Sequence, residues 1–140
     1  KKLIKDSGFR IQYSIEKLVQ ETVQQYKSRF MNNDLRIMVR EGVVEAVLLA
    51  KERGWQTGLC TGSTWAIVEK ELEEMAMQLA FDVTVTGEEV VMSKPDPEIY
   101  LLAAQKLGIE PNEGLVIEDA IAGIRAGKEA GGMELFKVIE

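Results

Sequence analysis

Gly114-Leu-Val-Ile-Glu-Asp-Ala-Ile-Ala-Gly-Ile-Arg-Ala-Gly-Lys-Glu-Ala-Gly131 is the stretch that decides how this chain folds. Leu115 to Ile117 form a short apolar strand that runs straight into two adjacent carboxylates, Glu118 and Asp119, and a helix rich in Ala and Gly follows at once. Open α/β sheets hold their ligands at the carboxyl ends of strands. Hard oxygen ligands in that position suit Mg²⁺, which keeps several waters and binds through one or two carboxylates. Two neighbouring carboxylates at the end of a buried strand also repel each other, and a bound cation relieves that repulsion. The bland alternative is that Asp119 only caps the helix that follows. Gly123 and Gly127 let that helix approach the sheet closely.

Working back from this segment, strand and helix alternate. Asp96 caps a helix with Pro97 at its first position, and Gly108 ends it. Phe81 to Thr86 reads as a strand and Gly87 to Ser93 as a loop. Before them a helix from Thr64 to Leu79 buries Ile67, Val68, Leu72, Met75 and Leu79, preceded by a strand from Gln56 to Cys60. Arg40 to Arg53 is a helix carrying Val43, Val44, Val47 and Leu48 and stopped by Gly54. Residues 14 to 31 form a further helix with Ile15, Leu18, Val19, Val23, Tyr26 and Phe30 on one stripe. Asn32-Asn33-Asp34 reads as a connector, and Leu135 to Ile139 as a last strand. This alternation predicts an α/β fold, a parallel sheet covered by helices.

Composition narrows the chemistry. The chain has 140 residues, 46% of them hydrophobic, enough for one domain with a core. Its net charge of −6 argues against a nucleic-acid or anionic-membrane surface, and no apolar run is long enough to span a bilayer. The single Cys60 excludes an internal disulfide and suits a reducing, cytoplasmic setting. With no His in the sequence, His-based triads, His-ligated zinc and His acid–base catalysis are excluded. Cys60 in an apolar strand reads as an inert core thiol, and Trp55 and Trp65 read as packing residues.

Two further constellations can carry chemistry. Thr61-Gly62-Ser63 lies where a strand gives way to a helix N-terminus, and a hydroxyl with free backbone N–H groups there can hold a phosphate. The competing reading is that Ser63 or Thr64 simply caps the helix. Lys94 precedes Pro95 and is held out of helix; there it can neutralise charge on a phosphoryl group, or merely be solvated.

The order Thr61-Gly-Ser, then Lys94-Pro-Asp-Pro-Glu-Ile-Tyr, then Val116-Ile-Glu-Asp-Ala-Ile-Ala-Gly resembles the haloacid dehalogenase superfamily of hydrolases. More narrowly it is similar to the β-phosphoglucomutase-like and phosphoglycolate-phosphatase-like branch, which carries a helical cap. The resemblance runs from about Leu35 to Val138 and implies a Rossmann-like parallel sheet with helices on both faces. It implies that Thr61 binds the transferring phosphoryl group, with Gly62 and Ser63 beside it, and that Lys94 stabilises phosphate and nucleophile charge. It also implies that Glu118 and Asp119 hold Mg²⁺. Residues 1–34 then correspond to part of the cap and residues 35–140 to the core, with a hinge near Asp34. The expected substrate is a small phosphorylated metabolite.

One departure is large. The family's first motif, Asp-x-Asp-Gly-Thr, supplies the nucleophile and the acid/base carboxylate, and this chain contains no such sequence. Lys1 to Gly8 echoes it faintly through Asp6, but Gly8 stands where the second Asp is required. The resemblance puts the missing strand at the centre of the sheet, between the strands ending at Thr61 and Asp119. Either those strands pair directly, another segment such as Phe9 to Tyr13 inserts, or a second chain supplies an edge. Two expectations follow. One is a truncated Mg²⁺-dependent phosphatase or phosphomutase; the other is a non-catalytic binding or assembly module that completes its sheet as a homodimer.

Overall fold

The computed structural model describes residues 42–131 and, for the backbone, 134–137. The expected helix at 14–31, the segment Phe9 to Tyr13, Asp6 and the hinge near Asp34 lie outside the described residues. The described chain divides into two compact units, residues 42–57 with 71–80, and residues 58–70 with 81 onward.

In the first unit, α1 (Val43–Glu52) buries Val44 and ends before Gly54, whose φ of 75° is the left-handed stop expected there. Arg53 stacks over the Trp55 ring at 5.9 Å, and Trp55 is exposed rather than packed. Thr57 is buried and donates its hydroxyl to the Ala80 carbonyl at 2.8 Å. α2 (Trp65–Glu74) has its residues 65–70 in the second unit and 71–74 in the first, and it is five residues shorter at its end than the apolar spacing predicts. The chain turns at Ala76, which has a φ of 55°, and the Met77 N–H returns to the Leu72 carbonyl. Once the helix has stopped, the 3.6-residue period no longer applies: Met77 is buried, while Leu79 is 91% exposed. Val68 and Leu72 are buried as expected, but Ile67 is exposed, one position off their stripe.

The second unit carries the strands. β1 (Gly58–Cys60) pairs in parallel with β2 (Val83–Val85), Gly58 opposite Val83 and Cys60 opposite Val85. β3 (Leu115–Glu118) pairs in parallel with β4 (Glu134–Lys137), Glu118 opposite Lys137. Among the described residues no ladder joins β1 to β3, so those two strands do not pair directly. Between the pairs in sequence comes α3 (Glu98–Leu107), which packs on β1 and β2 and touches α4 (Ile121–Glu129); α4 in turn packs on β3 and β4. Parallel ladders joined through helices make this an α/β, Rossmann-like core.

Its apolar centre is Val85, Ile99, Tyr100, Ala103, Val116, Ala126 and Ala130. Burying Ile99 or Val85 stabilises the fold by about 1.5–3 kcal/mol each. The small residues of α4 serve the close approach: Gly123, Ala126 and Gly127 are its buried positions. Strand periodicity divides β3, with Val116 in the core and Leu115 and Ile117 exposed on the opposite face.

Candidate active site

The Asp96 carboxylate accepts from the Glu98 N–H at 2.9 Å, as the Asp-Pro start of α3 requires, although the helix proper begins one residue later than expected. Glu98 reaches back and accepts from the N–H groups of Val91 (3.0 Å) and Met92 (2.8 Å). Those bonds pin the loop that delivers Lys94, and they hold the Glu98 carboxyl below its ordinary range. The Lys94–Pro95 peptide bond is cis.

Lys94 is the joint of the site. Its Nζ donates to the Cys60 carbonyl at 3.2 Å and to Glu118 Oε1 at 2.6 Å. It therefore ties the carboxyl end of β1 to the carboxyl end of β3, the two strands that share no ladder. The Tyr100 hydroxyl also donates to Glu118 Oε1, at 3.1 Å, while Oε2 accepts from the backbone N–H groups of Asp119 (2.9 Å) and Ala120 (3.0 Å). Burial pushes the Glu118 carboxyl up, but the bonds from Lys94, Ala120 and Tyr100 and the Lys94 charge more than offset it, so it stays ionised below its ordinary range. Burial, and then the Glu118 charge, push the Tyr100 phenol far above its usual range, which fixes it as a donor.

On the other side, the Thr61 N–H continues the β1–β2 ladder to the Val85 carbonyl at 3.0 Å, and Thr61 Oγ1 accepts from the Ser63 N–H at 3.1 Å. The Gly87 N–H donates to the Ser63 carbonyl at 3.1 Å, so the exit of β2 braces this turn. At the helix start, neither Ser63 nor Thr64 supplies the cap. The Glu88 carboxylate does, accepting from the Trp65 N–H at 2.7 Å. That carboxylate occupies part of the positive helix end that a phosphate would otherwise use. Trp65 is half exposed, not core, and lines an open 320 Å³ cavity with Thr84, Thr86, Glu88 and Glu89. Glu89 there pairs with Lys106 and accepts from the Thr86 N–H.

Lys94 and Glu118 are thus in direct contact, and Lys94 is bonded to the residue preceding Thr61. Asp119 follows on the exposed side of the same strand end and is not the helix cap: the cap position of α4 is Ala120, with no side-chain bond. Cys60 is half buried, and burial pushes its thiol to about 11, in keeping with an inert role. Tyr100, Glu98 and Glu88 were not singled out by sequence spacing. Their bonds span 18, 7 and 23 positions of chain; Glu98 and Tyr100 both lie within the Lys94-Pro-Asp-Pro-Glu-Ile-Tyr run that carries the resemblance, and Glu88 lies outside every such run.

The donor set fits a hard divalent cation in kind. Two carboxylates stand side by side at a strand end, and Mg²⁺ takes one or two carboxylates with water and phosphate completing its shell. Among the described residues no group of three or more metal-ligating side chains forms, so the pair is what the described residues bring to an ion. Both Glu118 oxygens are engaged, in four hydrogen bonds, and Asp119 stands exposed beside it at the strand end.

A family model for haloacid dehalogenase-like hydrolases matches residues 10–131, nearly the whole chain. The chain belongs to that family. This haloacid dehalogenase-like chain is 30% identical over 126 residues to the phosphorylated carbohydrates phosphatase of Thermotoga maritima, covering 86% of the chain and 58% of the relative. It is 39% identical over 89 residues to hexitol phosphatase B of Escherichia coli, covering 64% of the chain and 40% of the relative. Among solved structures it is similar to β-phosphoglucomutase from Clostridium difficile, with a TM-score of 0.64 and 30% identity over 71% of this chain and 43% of that one. It is also similar to CbbY from Rhodobacter sphaeroides in complex with phosphate, with a TM-score of 0.67 and 27% identity over 86% of this chain and 50% of that one. The chain spans about half the length of the curated relatives it matches. Among the described residues no helix is long and apolar enough to cross a membrane.

Proposed function

We propose that this chain carries the phosphate- and magnesium-handling part of a phosphatase or phosphomutase acting on a small phosphate ester in the cytoplasm. The observation that supports this most is the Lys94 bridge between the ends of β1 and β3, with Thr61 on one side and Glu118 and Asp119 on the other. In this reading the Thr61 hydroxyl and the Gly62–Ser63 turn receive phosphoryl oxygens, and Lys94 neutralises charge that develops on them. Asp119, with Glu118 beside it, would hold Mg²⁺, which supplies further charge neutralisation. The residues named here bind, orient and neutralise. The attack on phosphorus needs a nucleophile that the motifs of this chain do not provide, because no Asp-x-Asp-Gly-Thr sequence is present. Relatives named for phosphorylated carbohydrates and hexitol phosphates favour a phosphorylated sugar or sugar alcohol as the ester.

A magnesium titration of the melting temperature tests the reading. At ten times the dissociation constant a ligand that binds only the folded state adds about 1.4 kcal/mol, which in a domain of this size is a shift of roughly 4 °C. Asp119→Asn should abolish the shift, and inorganic phosphate should add to it in the unmodified protein. A magnesium-independent melting temperature in the unmodified chain would sink the proposal.

Among the described residues no ladder joins β1 to β3, which favours a second reading, a module that completes its sheet with a second copy of itself. It predicts a native mass of twice 15.6 kDa with no phosphatase turnover. A monomer that responds to magnesium removes this reading and leaves the first.

A further inference from the structure

Tyr100 touches both members of the charged pair at the centre of the site. Its hydroxyl donates to Glu118 Oε1 at 3.1 Å, and Lys94 Nζ lies 4.9 Å from the centre of its ring. The residue is 5% exposed and belongs to the apolar core of the second unit, so its position is fixed by packing against Ile99, Ala103 and their neighbours. A core position that needs only apolar bulk is filled as well by Phe. Here the hydroxyl is spent on a carboxylate oxygen that Lys94 already engages, and a ring face within 6 Å of an ammonium attracts it. The two contacts act on the same object from two directions: one holds the anion, the other holds the cation.

The rest of the Glu118 carboxylate is held as well. Oε2 accepts from the Asp119 and Ala120 N–H groups, so the side chain has little freedom left once the Tyr100 bond is made. Remove that bond and Oε1 retains Lys94 alone. The Lys94–Glu118 pair then has one fewer constraint in a half-buried setting, where each hydrogen bond counts for more than in water.

We propose that Tyr100 is a positioning residue for Lys94: its hydroxyl keeps Glu118 turned toward the ammonium, and its ring backs the ammonium at the mouth of β1. It acts through Lys94 and Glu118 and touches no reacting atom. The assignment of a phosphoryl ligand to Lys94 rests on the function proposed above, whereas the clamp itself rests on the three contacts.

Reductive methylation of lysines in the intact chain, followed peptide by peptide by mass spectrometry, reads the clamp directly. Lys94 should label more slowly than the exposed Lys128 in the unmodified protein. Tyr100→Phe keeps the ring and the burial and removes only the hydroxyl. It should speed Lys94 labelling about fivefold, the change that one hydrogen bond of ordinary net strength supports, with Lys106 and Lys128 unaffected. Glu118→Gln weakens the same acceptor from the other side and should speed Lys94 at least as much. A purely structural role for Tyr100 would change Lys106 and the melting temperature together with Lys94, or would leave all three unmoved in the Phe variant; either result overturns the proposal. The magnesium titration on the same proteins separates this clamp from the function it serves. Faster Lys94 labelling in Tyr100→Phe, with no magnesium shift in the unmodified chain, upholds the clamp and rejects the phosphoryl-transfer reading. A magnesium shift with unchanged Lys94 labelling does the reverse.

Discussion

Gly87→Ala should lower stability by about 2–3 kcal/mol and loosen the turn that carries Thr61. A Cβ at position 87 would lie 2.5 Å from the Gly62 carbonyl oxygen, 3.0 Å from its carbonyl carbon and 3.3 Å from its Cα. All three are backbone atoms, so no side chain can swing aside to make room. The overlap is relieved only if the exit of β2 and the Thr61–Ser63 turn move apart. That movement stretches the Gly87 N–H bond to the Ser63 carbonyl and strains the neighbouring Thr61 N–H bond to the Val85 carbonyl. Gly62 is the matched control, because a Cβ there meets nothing within 4 Å. Gly62→Ala should therefore melt close to the unmodified protein, and denaturant unfolding of the pair is the measurement. If Gly87→Ala unfolds at the same denaturant concentration as Gly62→Ala, the two loops are not in the contact described, and the bracing of the Thr61–Ser63 turn by β2 has to be abandoned.

Much of this arrangement was legible in the sequence, and the reasons differ from part to part. The ends of β1 and β3 could be read because apolar runs stop abruptly at polar residues, Thr61 after Cys60 and Glu118 after Ile117. The start of α3 could be read because an Asp two residues before the first helical N–H leaves a local signature, and Asp96 makes the bond that signature implies. The end of α2 could not. Met75, Ala76 and Met77 are good helix formers, so nothing local announces the turn that takes Leu79 into solvent. The two Trp residues misled for a related reason: ring size argues for burial on average, but Trp55 and Trp65 are each about half exposed, one against Arg53 and the other beside Glu88. Most of what completes the site is long-range. The Glu88 cap of α2 and the Tyr100 bond to Glu118 join residues 23 and 18 positions apart, and no periodicity encodes such a meeting. The expected cap at 1–34 falls wholly outside the described residues and is neither supported nor opposed by them.

Gly123→Ala sets two effects of opposite sign against each other. In a helix interior the exchange of Gly for Ala should stabilise by about 1 kcal/mol. Gly123 lies in α4, buried, directly under the Glu118 side chain: a Cβ there would fall 2.7 Å from Oε2 and closer still to Oε1 and Cδ. The obstacle is the end of a side chain, which could move at little expense if it were free. It is not free, because Lys94, Tyr100 and two backbone N–H groups hold it. Bonds to a charged group contribute about 1.5–3 kcal/mol each, and displacement into water recovers part of that, so a net loss of about 1–2 kcal/mol should remain after the helix gain. The same substitution in a Glu118→Ala background meets no carboxylate. There it should show the helix gain alone and stabilise by up to about 1 kcal/mol. A reversal of sign between the two backgrounds, measured by denaturant unfolding, means that the absence of a side chain at 123 exists to seat the Glu118 carboxylate that anchors Lys94. The same sign in both would mean that Gly123 answers only to the packing of α4 on the strands, and that Glu118 holds Lys94 without its help.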